Sequence, residues 1–579
     1  MYQGRLNVID PARFSPISNN IVPLIPAPQN GNTRNNYFLV GGYGLTARMD
    51  QFSVKVDHVF NEKHKASGYF NYGRKPIDIP YEGSFVPRDN PTNRLHVETD
   101  QPRIIRFSED WTLSPTRLNH FGFGFNRMNT GQRCLTVGQG WPEKLGLKGV
   151  EPICFPLLTF ESANGLNLKT LGDTNVGIPV EGSWIIKDDF TLIHGKHTFQ
   201  TGFEFRRYFY KDIRLDWNTS GTFNFSILET EAPGFADTGH QFASFLLGAV
   251  DTANRNVFAG LSDFVANYPS LYFQDQIKLT PKLTVSAGLR WEIPRPRYEK
   301  HNFTSGFDPN EPNPGADGFK GALVFLADKG RKSFQQPYYR EFAPNLGIAY
   351  ALNPKTVIRT GYAITYNPPI ANGYGFSEVF GHQSSVDLNR SDAPNAFDPV
   401  LYWDNGMPAF AGELPSKDPT LQNGSNIAWT LPNSLAQGYV QHWNFGVQRE
   451  LPKQTTVEVN YVGTKGTRLP GGTYHLAALF NMTPSRYLAL GDALYDNIND
   501  HPEIAKPYPS FEGTVNQALR PFPQYQGISL TGFNVGSSIY HAMQVQFRKR
   551  PVKGGLGFIM AYTFSKTLTD NDDALGGYY

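Results

Sequence analysis

No run of about eighteen apolar residues occurs in this chain, which excludes an ordinary membrane-spanning helix but leaves membrane-spanning strands open. An excess of one charge is also missing. The 53 Lys and Arg stand against 51 Asp and Glu, for a formal net charge of +2. The charges are scattered, so no basic stripe points to nucleic acid and no acidic tail to a solvating segment. Phosphate loop, zincin helix, paired CxxC and nucleophile elbow are all lacking. No catalytic constellation is supported, so an enzyme is not expected, nor is a bound cofactor or resident metal. The opening MYQGRLNVIDPARF lacks the basic and then apolar regions of a secretory signal, so the exported precursor of a surface protein would begin upstream of Met1.

Aromatics and chain-breakers are abundant instead: 43 Phe and 29 Tyr, with 56 Gly and 43 Pro. That composition argues against a helical protein and for an all-β one. In the stretch Tyr272 to Trp291, the residues Leu283, Val285, Ala287, Leu289 and Trp291 fall on one side of an extended strand. Thr284, Ser286, Gly288 and Arg290 fall on the other, so one face is apolar and the other polar. Thr280, Pro281 and Lys282 form a tight turn back to an antiparallel partner, Leu271 to Leu279.

The same unit recurs along the chain. Phe52 to Phe60 turns at Asn61 to Lys63 into a return strand ending at Tyr69, Phe70 and Tyr72. Ile104 to Leu113 and Arg117 to Phe125 meet at Ser114, Pro115 and Thr116, with Phe121, Phe123 and Phe125 alternating with Gly122 and Gly124. Trp184 to Ile193 turns into Thr198 to Tyr208, and Pro344 to Leu352 into Thr356 to Tyr366. Val440 to Glu450 turns into Thr455 to Val462, and Tyr540 to Arg550 turns through Pro551 to Gly554 into Gly555 to Ser565. Residues 1–51 read as an irregular segment rich in Pro, Asn and Gly, and residues 52–579 as the hairpin array.

The connections are asymmetric: about two to four residues within hairpins, and about thirty to more than seventy between them. Every long loop therefore leaves from the same end. Strands of about ten residues, oily on one side and wet on the other, are what an antiparallel transmembrane β-barrel requires. The bilayer offers no water to backbone groups, so the strands pair with each other and the polar face lines the lumen. Trp111, Trp291, Trp443 and Tyr562 would sit at the headgroup girdles. A propeller or sandwich is the soluble alternative, but a propeller needs regular strand spacing, and a soluble sheet would hide its aromatic face under a second layer.

WNFGVQRELPKQTTVEVNYVGTKG at Trp443 to Gly466 resembles the late barrel strands of the Oar-like branch of TonB-dependent outer-membrane receptors. So do HGKHTFQTGFEFRR from His194, YFQDQIKLTPKLTVSAGLRWE from Tyr272, YHAMQVQFRKR from Tyr540, AYTFSKTLTDNDD from Ala561, and the loop text WPEKLGLKGV from Trp141. The resemblance implies a barrel of about 22 strands in the bacterial outer membrane, plugged by an N-terminal domain. It further implies energy coupling through a periplasmic TonB-type partner, and uptake or surface binding of a large solute such as an oligosaccharide, peptide or chelate. This sequence departs from that pattern: about fourteen strands are legible, with no signal, plug or TonB-contacting segment, as in an internal barrel fragment. Such a fragment would leave two sheet edges unpaired and would neither insert as a native pore nor transport by itself. An adhesion or scaffolding barrel, or a secreted carbohydrate-binding β-protein, is the alternative function.

Three sets of residues stand out. Glu204, Arg206, Arg290, Arg359 and Glu458 fall on lumen faces, where they would contact a plug or solute or simply be solvated. Trp141, Trp217, Trp403 and Trp429 lie in long loops among Asn, Gly and Tyr, a composition able to stack on sugars or grip peptides. Cys134 and Cys154, the chain's 2 cysteines, share one exterior loop. A bridge there would close about twenty residues and stabilise the loop by roughly 3 kcal/mol, with free thiols as the alternative. The acidic run from Asp570 to Asp573 lacks the spaced ligands and turn glycine of a calcium loop.

Overall fold

The computed structural model describes residues 3, 8–32, 36–37, 46–80, 86–163, 165–211, 218–367, 379–470, 480–531, 534–551 and 554–570. Its organising element is a 17-stranded sheet. Three members are two-residue pieces, which leaves fourteen long strands. In chain order these are β1 (Asp50–Val59), β2 (His64–Pro80), β3 (Leu95–Ser114), β4 (Arg117–Cys134) and β5 (Val180–His194). β6 (His197–Lys211), β7 (Asp263–Thr280), β8 (Leu283–Glu292), β9 (Glu341–Asn353) and β10 (Thr356–Tyr366) follow. The last four are β11 (Tyr439–Leu451), β12 (Thr455–Pro470), β13 (Asn534–Lys549) and β14 (Phe558–Thr569). Each pairs antiparallel with the next, from β1 with β2 to β13 with β14. Among the described residues β1 and β14 are not bonded to each other, so the sheet is not closed.

Turn chemistry fixes the hairpins locally. The Asn61 side chain accepts from Lys63 N at 2.8 Å and His64 N at 3.0 Å, closing the β1–β2 turn as Asx turns do. Gly195, at φ 58°, supplies the left-handed residue between β5 and β6. All seven short turns lie at one rim because they join odd strands to the even strands that follow. The long connections join even strands to odd ones, so they all leave from the other rim. The shortest spans only 81–94, below the length expected from the sequence, because β2 and β3 continue far past their apolar stretches. β3 alone runs 20 residues, about twice what a tilted strand needs to cross hydrocarbon. Its upper half rises out of the membrane.

The outward face is uncovered. Phe52, Val54 and Val56 on β1, Leu271 and Phe273 on β7, Leu346 on β9 and Phe445 on β11 are 46% to 61% exposed. A continuous apolar band of this kind is far larger than a soluble monomer presents to water, so its solvent is lipid. Trp291 donates its indole N–H to the Tyr339 carbonyl at 2.9 Å and stacks on Phe342. It anchors the loop-side rim as amphipathic aromatics do. Trp111 stacks on His64 beside the short turns.

The cores lie outside the sheet, in the long loops. The largest gathers Ile17 and Ile21 from the chain's start, Leu145, Phe155 and Leu158 from the β4–β5 connection, Phe223, Phe225 and Phe245 from β6–β7, and Trp403 from β10–β11. The residues before β1 are thus not wholly irregular. Ser15 caps a short helix, Pro16–Ile21, by accepting from Ser18 N, and the helix buries its two isoleucines in this core. A second core joins Phe307, Leu323 and Phe325 of β8–β9 to Ile427 of β10–β11 and Tyr525 and Ile528 of β12–β13. The parallel pair Asn426–Thr430 with Gly527–Thr531 ties these loops together. The long connections therefore build a folded cap of two lobes over one rim of the sheet.

Candidate functional site

The strand alternation that turns leucines and phenylalanines outward turns a polar wall inward. Across β6, β7 and β8 the inward residues include Glu204, Arg206 and Arg290, which the structure brings together. Arg290 reaches Glu204 at 3.2 Å and Glu292 at 2.5 Å, and Arg206 also pairs with Glu204. One step lower, the Tyr272 hydroxyl donates to Asp189 at 2.7 Å, and Lys187 approaches the same carboxylate at 3.4 Å. Arg359 and Glu458 sit apart from this network. Arg359 donates to Gln448 at 2.6 Å, and Glu458 accepts from Asn460 at 2.9 Å. Small inward residues make room for the polar side chains: a Cβ on Gly446 would stand 2.1 Å from Asn460 Oδ1, so the amide lies across the bare backbone. Lys187, Arg206 and Arg290 balance Asp189, Glu204 and Glu292 here, so this part of the wall is an ion-pair ladder with matched charge.

The cap places the loop tryptophans differently from the sequence expectation. Trp403 is fully buried. Its indole N–H donates to Ser15 Oγ at 2.7 Å, and Phe223, Phe225 and Phe245 meet it edge-on. It is a core residue and faces no ligand, because the loops around it fold on one another and bury an indole more favourably than they expose it. Trp429 packs at the edge of the second lobe, 4.9 Å from the Phe480 ring centroid. Trp141 lies half-buried against Phe155 with Lys144 over its ring. Trp217 lies outside the described residues, as do Asn571, Asp572 and Asp573 of the acidic run. Cys134 and Cys154 form a disulfide with Cα atoms 6.3 Å apart, both buried beside Val176.

Within the first lobe, four strands form a sheet in the order Gln383–Leu388, Thr252–Phe258, Thr222–Phe225, Leu157–Phe160. One face carries Leu158, Phe223, Phe225, Ala253 and Val386 into the core. The other presents Thr159, Asn224, Asn254, Asn256 and Ser385 outward, as the cross-strand register requires. Where this face ends, a cleft of about 540 Å³ opens between the lobes, with Asn256 and Phe258 on one wall and Phe380 and Gln422 on the other. The sequence offered one signal for it, the alternation of Thr222–Phe223–Asn224–Phe225, too short to be read as part of a sheet. At the other end of this strand pair, away from the cleft, Arg390 bridges Glu229 at 2.8 Å and Asp251 at 3.2 Å. Burial pushes the Glu229 carboxyl above its ordinary range. Among the described residues no group of His, Cys, Asp and Glu is placed to hold a metal ion.

An uncovered apolar belt, a charge-matched polar inner wall, short turns at one rim and a folded cap at the other define a membrane β-barrel of the bacterial outer membrane. The family model described as Outer membrane beta barrel domain matches residues 2–579, and the chain belongs to that family. No curated protein matches it. Among solved structures, the outer membrane transporter YddB from Escherichia coli is similar in fold at 10% identity and TM-score 0.50, covering 90% of this chain and 48% of its own. The ferric citrate transporter FecA matches at 9% identity and TM-score 0.41, covering 91% and 52%. The copper transporter OprC matches at 8% and 0.41, covering 92% and 56%. This chain therefore spans about half the length of these transporters.

Proposed function

We propose that the chain is barrel from a TonB-dependent receptor of the Oar-like branch, which captures a large solute at the cell surface for energy-coupled uptake. The carrying observation is the combination of a folded extracellular cap with the inner wall of Glu204, Arg206 and Arg290 beneath it. A cap with its own hydrophobic cores presents a preformed surface, and a hydrated, charge-matched wall is suited to a plug or solute that must slide past without being trapped. The coupling partner is a TonB-type periplasmic protein acting through a region N-terminal to this barrel. Neighbour identity adds fold-level support only, since YddB shares 10% of residues.

The test is accumulation of labelled medium components by cells carrying the full receptor, with and without the inner-membrane proton gradient. Gradient-dependent accumulation that is lost on deleting the receptor gene supports the reading. Binding that is indifferent to the gradient and never followed by accumulation overturns it in favour of the adhesion or scaffolding barrel. The disulfide-tied, tightly packed cap is the feature that favours that second reading.

A further inference from the structure

We infer that the cleft between the two cap lobes is a binding site for an uncharged polyhydroxylated ligand, a neutral oligosaccharide. This rests on the surface-capture reading above and names the ligand class for it. The cleft's polar lining consists of amides and hydroxyls: Asn256, Gln383 and Gln422, with Ser384 and Ser385. Its apolar lining includes two rings, Phe258 and Phe380. Among the described residues no ionisable side chain lines it.

That composition discriminates between ligand classes. A carboxylate-bearing or catecholate chelate entering the cleft would give up water around its charge and meet no cation among the described lining residues in return, a large desolvation cost, since Lys417, near His382, is already paired with Asp328 at 2.5 Å. A sugar hydroxyl both donates and accepts, and so do the Gln383 and Gln422 amides and the Ser384 hydroxyl, so pairing with them can be satisfied in either sense. The C–H face of a pyranose has the size and polarity to lie on a phenyl ring. The volume, about 540 Å³, lies within the usual range for small-ligand sites, and such sites favour boundaries between lobes.

Two further observations agree. Among the described residues the Gln383, Ser384 and Gln422 side chains make no hydrogen bond, so they remain free to engage a ligand. His382, next to the cleft and stacked on Phe303, is buried, which holds its imidazole neutral down to about pH 4. Asp387, which accepts from Ser385 and stands opposite Asn254 on the outward face of the sheet, is outside the cleft lining.

The test uses the full protein purified in detergent, titrated calorimetrically with neutral malto-, xylo- and galacto-oligosaccharides. Acidic oligogalacturonate and ferric citrate serve as charged comparators. At least one neutral series binds and the charged probes do not. Phe258→Ala and Gln383→Ala each weaken that binding by about tenfold or more. An unchanged limited-proteolysis pattern certifies that the cap is still folded in each variant. Should either variant open the cap, Gln422→Ala on the opposite wall is read in its place. Absence of binding to every neutral series, or binding that these variants leave unchanged, overturns the assignment. Sugar binding without gradient-driven accumulation sinks the transport reading and leaves this site standing. Gradient-driven accumulation of a charged solute by a receptor blind to sugars does the reverse.

Discussion

Ser15 and Trp403 are 388 positions apart in sequence, yet the indole N–H of one meets the hydroxyl of the other at 2.7 Å. That contact locates the energetic centre of the first cap lobe. Trp403→Ala leaves a cavity among Phe223, Phe225 and Phe245 and costs roughly 3–5 kcal/mol. The expected outcome is rapid protease cleavage in the long connections while the β-sheet circular-dichroism signal persists. Asp173 gives a second residue-scale prediction, with a definite pH window. It is buried in the β4–β5 connection, where desolvation lifts its carboxyl from 3.8 to about 6, against the Asn175 N–H that it accepts. The folded form then binds the proton more tightly than the unfolded one, so the destabilisation is fully present above about pH 6 and absent below 3.8. Asp173→Asn keeps an acceptor for Asn175 and removes the charge. It should stabilise the cap at pH 8 by up to about 3 kcal/mol and change nothing at pH 3.5, as read by hydrogen exchange of residues 135–179. Neither residue announces itself in the sequence. Trp403 reads there as a loop aromatic beside Asn and Gly, and only its non-local partners make it core.

At the scale of the element, legibility follows from how local the causes are. All seven hairpins are present, six of them at the expected turns, because period-two alternation and turn residues such as Asn61, Pro281 and Gly195 act within a few positions; in the seventh the return strand starts at Phe558, three residues later than expected. The pairing Leu158↔Phe223, parallel and between loops, has no such cause, and the cap it belongs to was not foreseen. The inward charges show the same division. That Glu204, Arg206 and Arg290 share a face follows from alternation. That they touch, while Arg359 and Glu458 do not join them, follows from the register of β6 on β7 and β7 on β8. Arg290→Ala strands Glu292 and halves the partners of Glu204, a loss of roughly 1–3 kcal/mol for half-buried, charge-assisted bonds. Arg359→Ala removes one contact to Gln448 on an exposed stretch and should cost under about 0.5 kcal/mol. Urea unfolding in detergent micelles should separate the two variants; equal midpoints would mean that the ion-pair ladder contributes nothing.

The whole molecule divides along its long axis into a part solvated by lipid and a part that carries its own cores. This division predicts which tryptophans lipid can reach. Brominated acyl chains should quench Trp111, Trp184, Trp291 and Trp443, all on the strands, and leave Trp403 untouched inside the cap. A construction of this kind also puts its weakest backbone at known places. Central strands such as β7 are bonded on both sides, whereas among the described residues β1 and β14 each have one long partner, and every described residue of both strands is exposed. Hydrocarbon supplies no hydrogen-bond partner, so those outer edges must be paired by strands or by each other before the sheet can rest in a bilayer. In detergent, where water still reaches them, amides of β1 and β14 should exchange orders of magnitude faster than those of β7. If reconstitution into lipid brings their protection up to that of β7, the edges have found partners. If protection stays low while β7 remains protected, the sheet has not inserted, because two open edges and an intact apolar belt cannot both be accommodated in hydrocarbon.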